Sequence, residues 1–196
     1  MFDDLIRLKE VTGGRAAECD GGVECVLSKG AVMLAFSMHL LETVPGLTHV
    51  AIHPDGEHGK RFDIGGWLSR RGYSHSQPTG RTPYAGLYTL GGRSILVNPK
   101  SGVGDIVADH DGQSILAECK GGCVNTRHPG LRSRLRSGLC ETVGLLLATP
   151  KPEGQRQYAV APWADATAAL AAKMMPRADR AGIEIVLLDE HGQVRA

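Results

Sequence analysis

The spacing of apolar residues changes along the chain, and each change predicts an element. Ala31 to Val44 is an almost unbroken run rich in Met, Leu and Ala, with Ser28 as its N-cap and Pro45-Gly46 as its stop, which predicts a helix. Thr48 to His53 reads as a strand ending at the turn signal Pro54-Asp55-Gly56. Lys60 to Arg71 carries Phe62, Ile64, Trp67 and Leu68 at helical spacing, with Gly72 as its stop and Gly65-Gly66 as a weakness. Tyr84–Leu90 and Arg93–Asn98 are strand-like runs joined by Gly91-Gly92, a hairpin signal. Further on, Leu131, Leu135, Leu139, Val143 and Leu146 form a helical stripe opened by Pro129. Tyr158 to Pro162 predicts a strand, and Trp163 to Met175 an Ala-rich helix that Pro176 ends. Ile183 to Leu188 predicts a buried strand that turns at Asp189-Glu190-His191-Gly192.

Between these lies the stretch from Gly104 to Lys120. Two β-favouring runs flank Asp111-Gly112, predicting a hairpin with His110 opposite Gln113, Asp109 opposite Ser114 and Asp105 opposite Glu118. Directly opposed side chains stand roughly 4.5–5.5 Å apart at Cβ, so two acids placed there repel unless a cation intervenes. Alternation along the strand puts Lys120 on the face of Glu118 and turns Cys119 to the other. One face thus offers two carboxylates and an amine. A hard cation such as Mg²⁺ takes a few carboxylate oxygens and keeps several waters, one of which becomes a nucleophile with an ammonium nearby to orient it. That set suffices for phosphodiester hydrolysis. The competing account is a surface hairpin whose charges are merely solvated. Against it stands Ile115-Leu116-Ala117-Glu118-Cys119-Lys120, where charge interrupts an otherwise apolar strand.

These residues resemble the PD-(D/E)xK nuclease superfamily, closest in pattern to its Mrr-like and resolvase-type members. Asp105 matches the motif aspartate and Glu118-Cys119-Lys120 the (D/E)xK tripeptide, while Gly104 stands where the motif's name has proline, as in many of those relatives. The resemblance implies that Asp105, Glu118 and the main-chain carbonyl of Cys119 hold Mg²⁺, with Mn²⁺ able to substitute, and that Lys120 positions or activates the attacking water. The helix over 60–71, followed by Arg71-Gly72-Tyr73, is similar to the first core helix of Mrr-like members, where an acid completes the site. Asp63 is the matching residue, one methylene shorter than the usual Glu, and Glu57 is the fallback if the alignment slips. The implied fold is α/β, a restriction-endonuclease-like core with a mixed central β-sheet flanked by helices over 57–196. An N-terminal helical extension over 1–56 is expected to pack on that core.

Charge narrows the partners. The formal net charge is only +1, so a nonspecific coat of DNA around the whole surface is not expected. From Cys119 to Cys140, however, every charge is positive: Lys120, Arg127, Arg132, Arg134 and Arg136, with His128 among them. Such residues beside a catalytic strand hold phosphate oxygens without reading sequence, and a solvated helix face is the plain alternative. Glu141 on the same helix is a candidate partner behind the site. Five cysteines, an odd number, suit reduced thiols, and the spacing of Cys119, Cys123 and His128 fits no standard zinc ligand pair. His53, Asp55, Glu57 and His58 are metal-binding types in a stretch that is polar simply because it turns. The acidic N-terminus and the short apolar run from Ala31 to Leu41 point to a cytoplasmic protein with no membrane segment.

The sequence therefore leads to the expectation of a Mg²⁺-dependent endonuclease acting on DNA in restriction, repair or defence. A homodimer is expected if it cuts both strands, and a protein partner if it belongs to a larger system. One alternative is a catalytically silent nucleic-acid-binding or assembly module with a nuclease fold, against which the intact Asp105, Glu118 and Lys120 argue. Another is a nuclease acting on RNA or branched DNA, for which no aromatic stacking platform is evident.

Overall fold

The structure, a computed structural model, describes residues 3–12, 18–19, 22–54, 62–79, 82–99 and 104–195. In chain order, β1 (Ile6–Glu10) and β2 (Val23–Leu27) precede α1 (Lys29–Thr43) and β3 (His49–Ile52). Next come α2 (Ile64–Arg70), β4 (Ser74–Ser76), β5 (Gly86–Leu90) and β6 (Arg93–Val97). β7 (Ile106–His110), β8 (Gln113–Cys119) and the short β9 (Gly122–Cys123) lead to α3 (Pro129–Ala148). β10 (Arg156–Pro162), α4 (Asp165–Ala178), β11 (Ile183–Leu188) and β12 (Val194–Arg195) follow.

Nine strands form one mixed sheet in the order β12-β11-β10-β8-β7-β3-β6-β5-β4, and β1-β2-β9 form a second, antiparallel one. In the large sheet β3, β7 and β8 are antiparallel in turn, and β10 lies parallel to β8. A parallel neighbour needs a long crossover, which α3 supplies between β8 and β10 and α4 between β10 and β11. The chain is thus α/β, with a large mixed sheet flanked by helices.

Alternation along the strands divides the core in two. Ala117, Cys119 and Val160 face α1 through Phe36 and its neighbours, while Leu116, Ala159 and Ile185 face Leu139 and Val143 of α3 and Ala171 of α4. α1 is apolar almost all round and buried from Gly30 to Leu41 except at His39, the signature of a core helix rather than a surface one. This corrects the expected N-terminal helical extension. Residues 6–10 and 23–27 are strands, α1 covers the large sheet, and β3 sits between β7 and β6.

The two hairpins form as their turn residues predict. Asp111 and Gly112 have φ 48° and 75°, and Gly91 and Gly92 have 56° and 81°, the left-handed pairs that two-residue turns require. His110 pairs with Gln113 and Asp109 with Ser114. In α3 the expected stripe is buried at Leu135, Leu139, Val143 and Leu146. Two helix boundaries differ from expectation. α2 starts at Ile64 because the Asp63 carboxylate caps it, accepting from Gly66 N–H at 2.8 Å. α4 continues through Pro176 to Ala178, where the Asp179 N–H donates to the Met175 carbonyl, and Gly182 at φ 71° closes the short 3-10 helix that follows. No described helix is long and apolar enough to cross a membrane.

Candidate active site

The site is built where the end of β8 meets the junction of β2 and α1. Asp105 precedes β7 and leaves the regular ladder: its N–H donates to the Ala117 carbonyl (3.0 Å), and its own carbonyl accepts from His53 N–H (2.8 Å). Its carboxylate is buried against β8. Oδ2 accepts from Cys119 N–H at 2.8 Å and Oδ1 meets Lys29 Nζ at 2.7 Å.

Gly104 makes this bend. Its φ is +88°, and a Cβ there would lie 2.3 Å from Leu116 Cδ1. Proline, with φ locked near −65°, has no place at this position. Gly104→Ala is expected to cost about 2–4 kcal/mol through left-handed backbone strain and overpacking, read as a lower urea midpoint. An unchanged midpoint would show that the bend is not constrained.

Glu118 lies on the face opposite Cys119. Burial, the Asp105 charge and a hydrogen bond between the two carboxyl groups push its pKa up to about 7, against the pull of Lys29 and Lys120. Glu118 therefore takes up and releases its proton close to neutral pH, far above an ordinary glutamate. Lys120 continues the β8–β10 ladder through its N–H to the Val160 carbonyl (2.9 Å). Its ammonium donates to Glu141 Oε1 on α3 at 2.6 Å, the partner expected there. Gly138 makes the contact geometrically free: a Cβ at that position would sit 3.3 Å from Lys120 Cβ and Cγ.

Lys29 was not expected. Burial acts to lower its pKa, and the charge and hydrogen bond of Asp105 outweigh this, so the net shift is upward. The one available signal was a lysine in the first turn of a helix, where the macrodipole disfavours a cation. Gly121 delivers it, because a Cβ there would lie 2.4 Å from Lys29 N and 2.6 Å from the Leu27 carbonyl oxygen. A Cβ at Gly122 would likewise lie 2.3 Å from Leu135 Cδ2. Gly121 is thus required by backbone packing, whereas a side chain at Gly122 would have to displace Leu135.

Asp63 pairs with none of the described side chains of this cluster, although its neighbour Phe62 lines a cleft with Lys29 and Lys120. Its side chain is 72% exposed, caps α2 and faces Arg70 at 3.7 Å. Its charge acts on Tyr88, on β5. The helix acid is consumed by its own cap. Glu57, with Asp55 and His58, lies outside the described residues. Among the described residues no group of three or more His, Cys, Asp and Glu side chains is placed to hold a metal. The donors on offer are therefore the carboxylates of Asp105 and Glu118 with the main-chain carbonyl of Cys119. An all-oxygen set with crowded negative charge fits a hard cation that keeps its remaining waters. The Cys119 thiol is buried on the α1 side, and burial pushes its pKa far up, so it is inert.

The basic residues divide among three surfaces. Arg127 and Arg132 line a cleft of about 440 Å³ with Trp163 and Asp165, and Arg132 and Arg136 line another of about 420 Å³ with Lys173 of α4. Arg134 is exposed one turn before Gly138, on the α3 face that carries Glu141 over Lys120. His128 serves the fold: its Nδ1 accepts from Gly130 N–H (3.1 Å) and Leu131 N–H (3.3 Å), capping α3 and leaving a ring proton for Nε2. Comparison of the chain with family models, with curated proteins and with solved structures gives no match.

Proposed function

We propose that the protein is a divalent-metal-dependent nuclease that hydrolyses phosphodiester bonds in DNA. The observation that carries this reading is the placing of Asp105, Glu118 and Lys120 at the end of one hairpin, with the Asp105 carboxylate accepting from the Cys119 amide that lies between Glu118 and Lys120. The order α1–β3–β7–β8–α3–β10, with α2 and β4–β6 inserted between β3 and β7 and the short β9 before α3, supports it, since helix, strand meander, helix and strand is the order of the restriction-endonuclease-like core. On this reading α1, rather than the helix carrying Asp63, is the first core helix.

Asp105, Glu118 and the Cys119 carbonyl would hold Mg²⁺ or Mn²⁺, which when bound supplies Lewis-acid stabilisation and a water of lowered pKa. Lys120 contributes a positioned ammonium, held by Glu141, that orients water and offsets negative charge growing on the phosphate oxygens. Arg134 and the two clefts bearing Arg127, Arg132 and Arg136 offer charge to the flanking phosphates.

One observation favours a second reading, a nucleic-acid-binding module that does not cut: the Lys29–Asp105 ion pair satisfies Asp105 from within the chain. Incubation with supercoiled plasmid, linear duplex, single-stranded DNA and RNA, each in Mg²⁺, Mn²⁺ or EDTA, separates the two. The nuclease reading expects cutting of DNA that EDTA abolishes. Binding of DNA without cutting of any substrate supports the module.

A further inference from the structure

A cleft of about 270 Å³ opens beside the acid pair, between β1, the start of α1 and the Lys120–Gly122 backbone. Three elements each bring a cation to its wall: Arg7 from β1, Lys29 from α1 and Lys120 from the end of β8. Two of the three are matched by acids, Lys29 by Asp105 and Lys120 by Glu141. Arg7 is exposed, and no described side chain pairs with its guanidinium.

The chain nevertheless holds the Arg7 backbone firmly. Arg7 pairs with Val26 in the β1–β2 ladder, and Leu5 is 1% exposed in the core. Asp4 accepts from Trp67 Nε1 (3.0 Å) and from Arg71 (2.9 Å), tying this segment to α2. A guanidinium carried on a held backbone, with no acid paired to it among the described residues and two more cations lining the same cleft, is an arrangement for an anion. The rest of the wall includes Val26 and Phe62, apolar surface suited to a sugar or base.

We propose that this cleft is a phosphate subsite, in which Arg7 grips a nucleic-acid phosphate beside the one being cut. The inference deepens the nuclease reading and rests on it for the identity of the ligand. The phosphate can come from two sources, an internal phosphodiester or a terminal phosphomonoester, and the same contacts serve both.

The test is fluorescence anisotropy in EDTA with short oligothymidylates carrying either a 5′-phosphate or a 5′-hydroxyl. Wild type is compared with Arg7→Gln and with Arg180→Gln, which removes an equal charge from the 3-10 helix before β11. Loss of one phosphate contact is expected to weaken binding by about 3–10-fold and to flatten the salt dependence by roughly one phosphate. Equal weakening of both oligonucleotides by Arg7→Gln assigns the subsite to an internal phosphodiester. Weakening of the phosphorylated one alone assigns it to a strand end. Wild-type affinity in Arg7→Gln, or the same loss in Arg180→Gln, overturns the proposal. Because binding is read without metal, a protein that grips phosphate through Arg7 and cuts nothing loses only the nuclease reading. A protein that cuts DNA while Arg7→Gln binds as tightly as wild type loses only the subsite.

Discussion

Lys120→Ala is expected to lower the rate of metal-dependent DNA cleavage by about 10²–10⁴-fold, the usual cost of removing a positioned proton-handling or charge-stabilising group. The loss should fall on catalysis and not on folding. The side chains of Lys120 and Glu141 are 27% and 56% exposed, and a pair of that kind contributes about 0–1 kcal/mol to stability. The melting temperature should therefore stay close to that of wild type. Lys120→Arg keeps the charge but not the compact ammonium seated beside Gly138, so it should not restore the rate. Glu141→Gln leaves the ammonium present but held less firmly, and should slow cleavage far less than Lys120→Ala. Cleavage by Lys120→Ala at the wild-type rate would remove Lys120 from the chemistry.

Glu118→Gln is expected to change stability in a pH-dependent way. Folded Glu118 keeps its proton to about pH 7, whereas in the unfolded chain it loses it near 4.5. Between those values the unfolded state binds fewer protons than the folded state, so this group's contribution falls as pH rises and stays low above pH 7. Solvent screening of the partly exposed carboxyl reduces the effect to about 1–2 kcal/mol, or roughly 3–6 °C in a chain of this size. Glutamine keeps the shape and does not titrate. The variant should therefore gain on wild type between pH 5 and pH 8 by that amount. Addition of Mg²⁺ at pH 8 should raise the wild-type melting temperature and leave the variant's unmoved. Parallel pH curves for the two proteins would mean that Glu118 titrates as an ordinary glutamate and that the acid pair does not form.

What the sequence made legible was local. The Asp111-Gly112 turn fixes the register of β7 against β8 within a few residues, and the Leu135–Leu139–Val143–Leu146 stripe fixes the buried side of α3. Those two elements alone place Glu118, Lys120 and Glu141 in reach of one another. The parts that were not legible depend on contacts between distant segments. Asp63 stands just before a helix that looks right by pattern, yet its carboxylate is engaged by the Gly66 amide at the helix start. α1 was recognised as a helix, but its apolar circumference gives no amphipathic face, so its place over the centre of the sheet was not legible. Lys29 and Arg7 reach the site only because Gly121 lets the β2–α1 junction touch the end of β8 and because Asp4 is tied to α2. Neither contact leaves a periodic trace in the chain.

The most direct test of the hydrolytic centre is the rate of plasmid nicking in Mg²⁺ by wild type and by Asp105→Asn, each checked for folding by circular dichroism. Asp105 joins the whole cluster, through Lys29, the Cys119 amide and Glu118. The account predicts nicking by wild type that EDTA stops and that Asp105→Asn reduces to background. Equal nicking by the two proteins, or none by folded wild type, would contradict it.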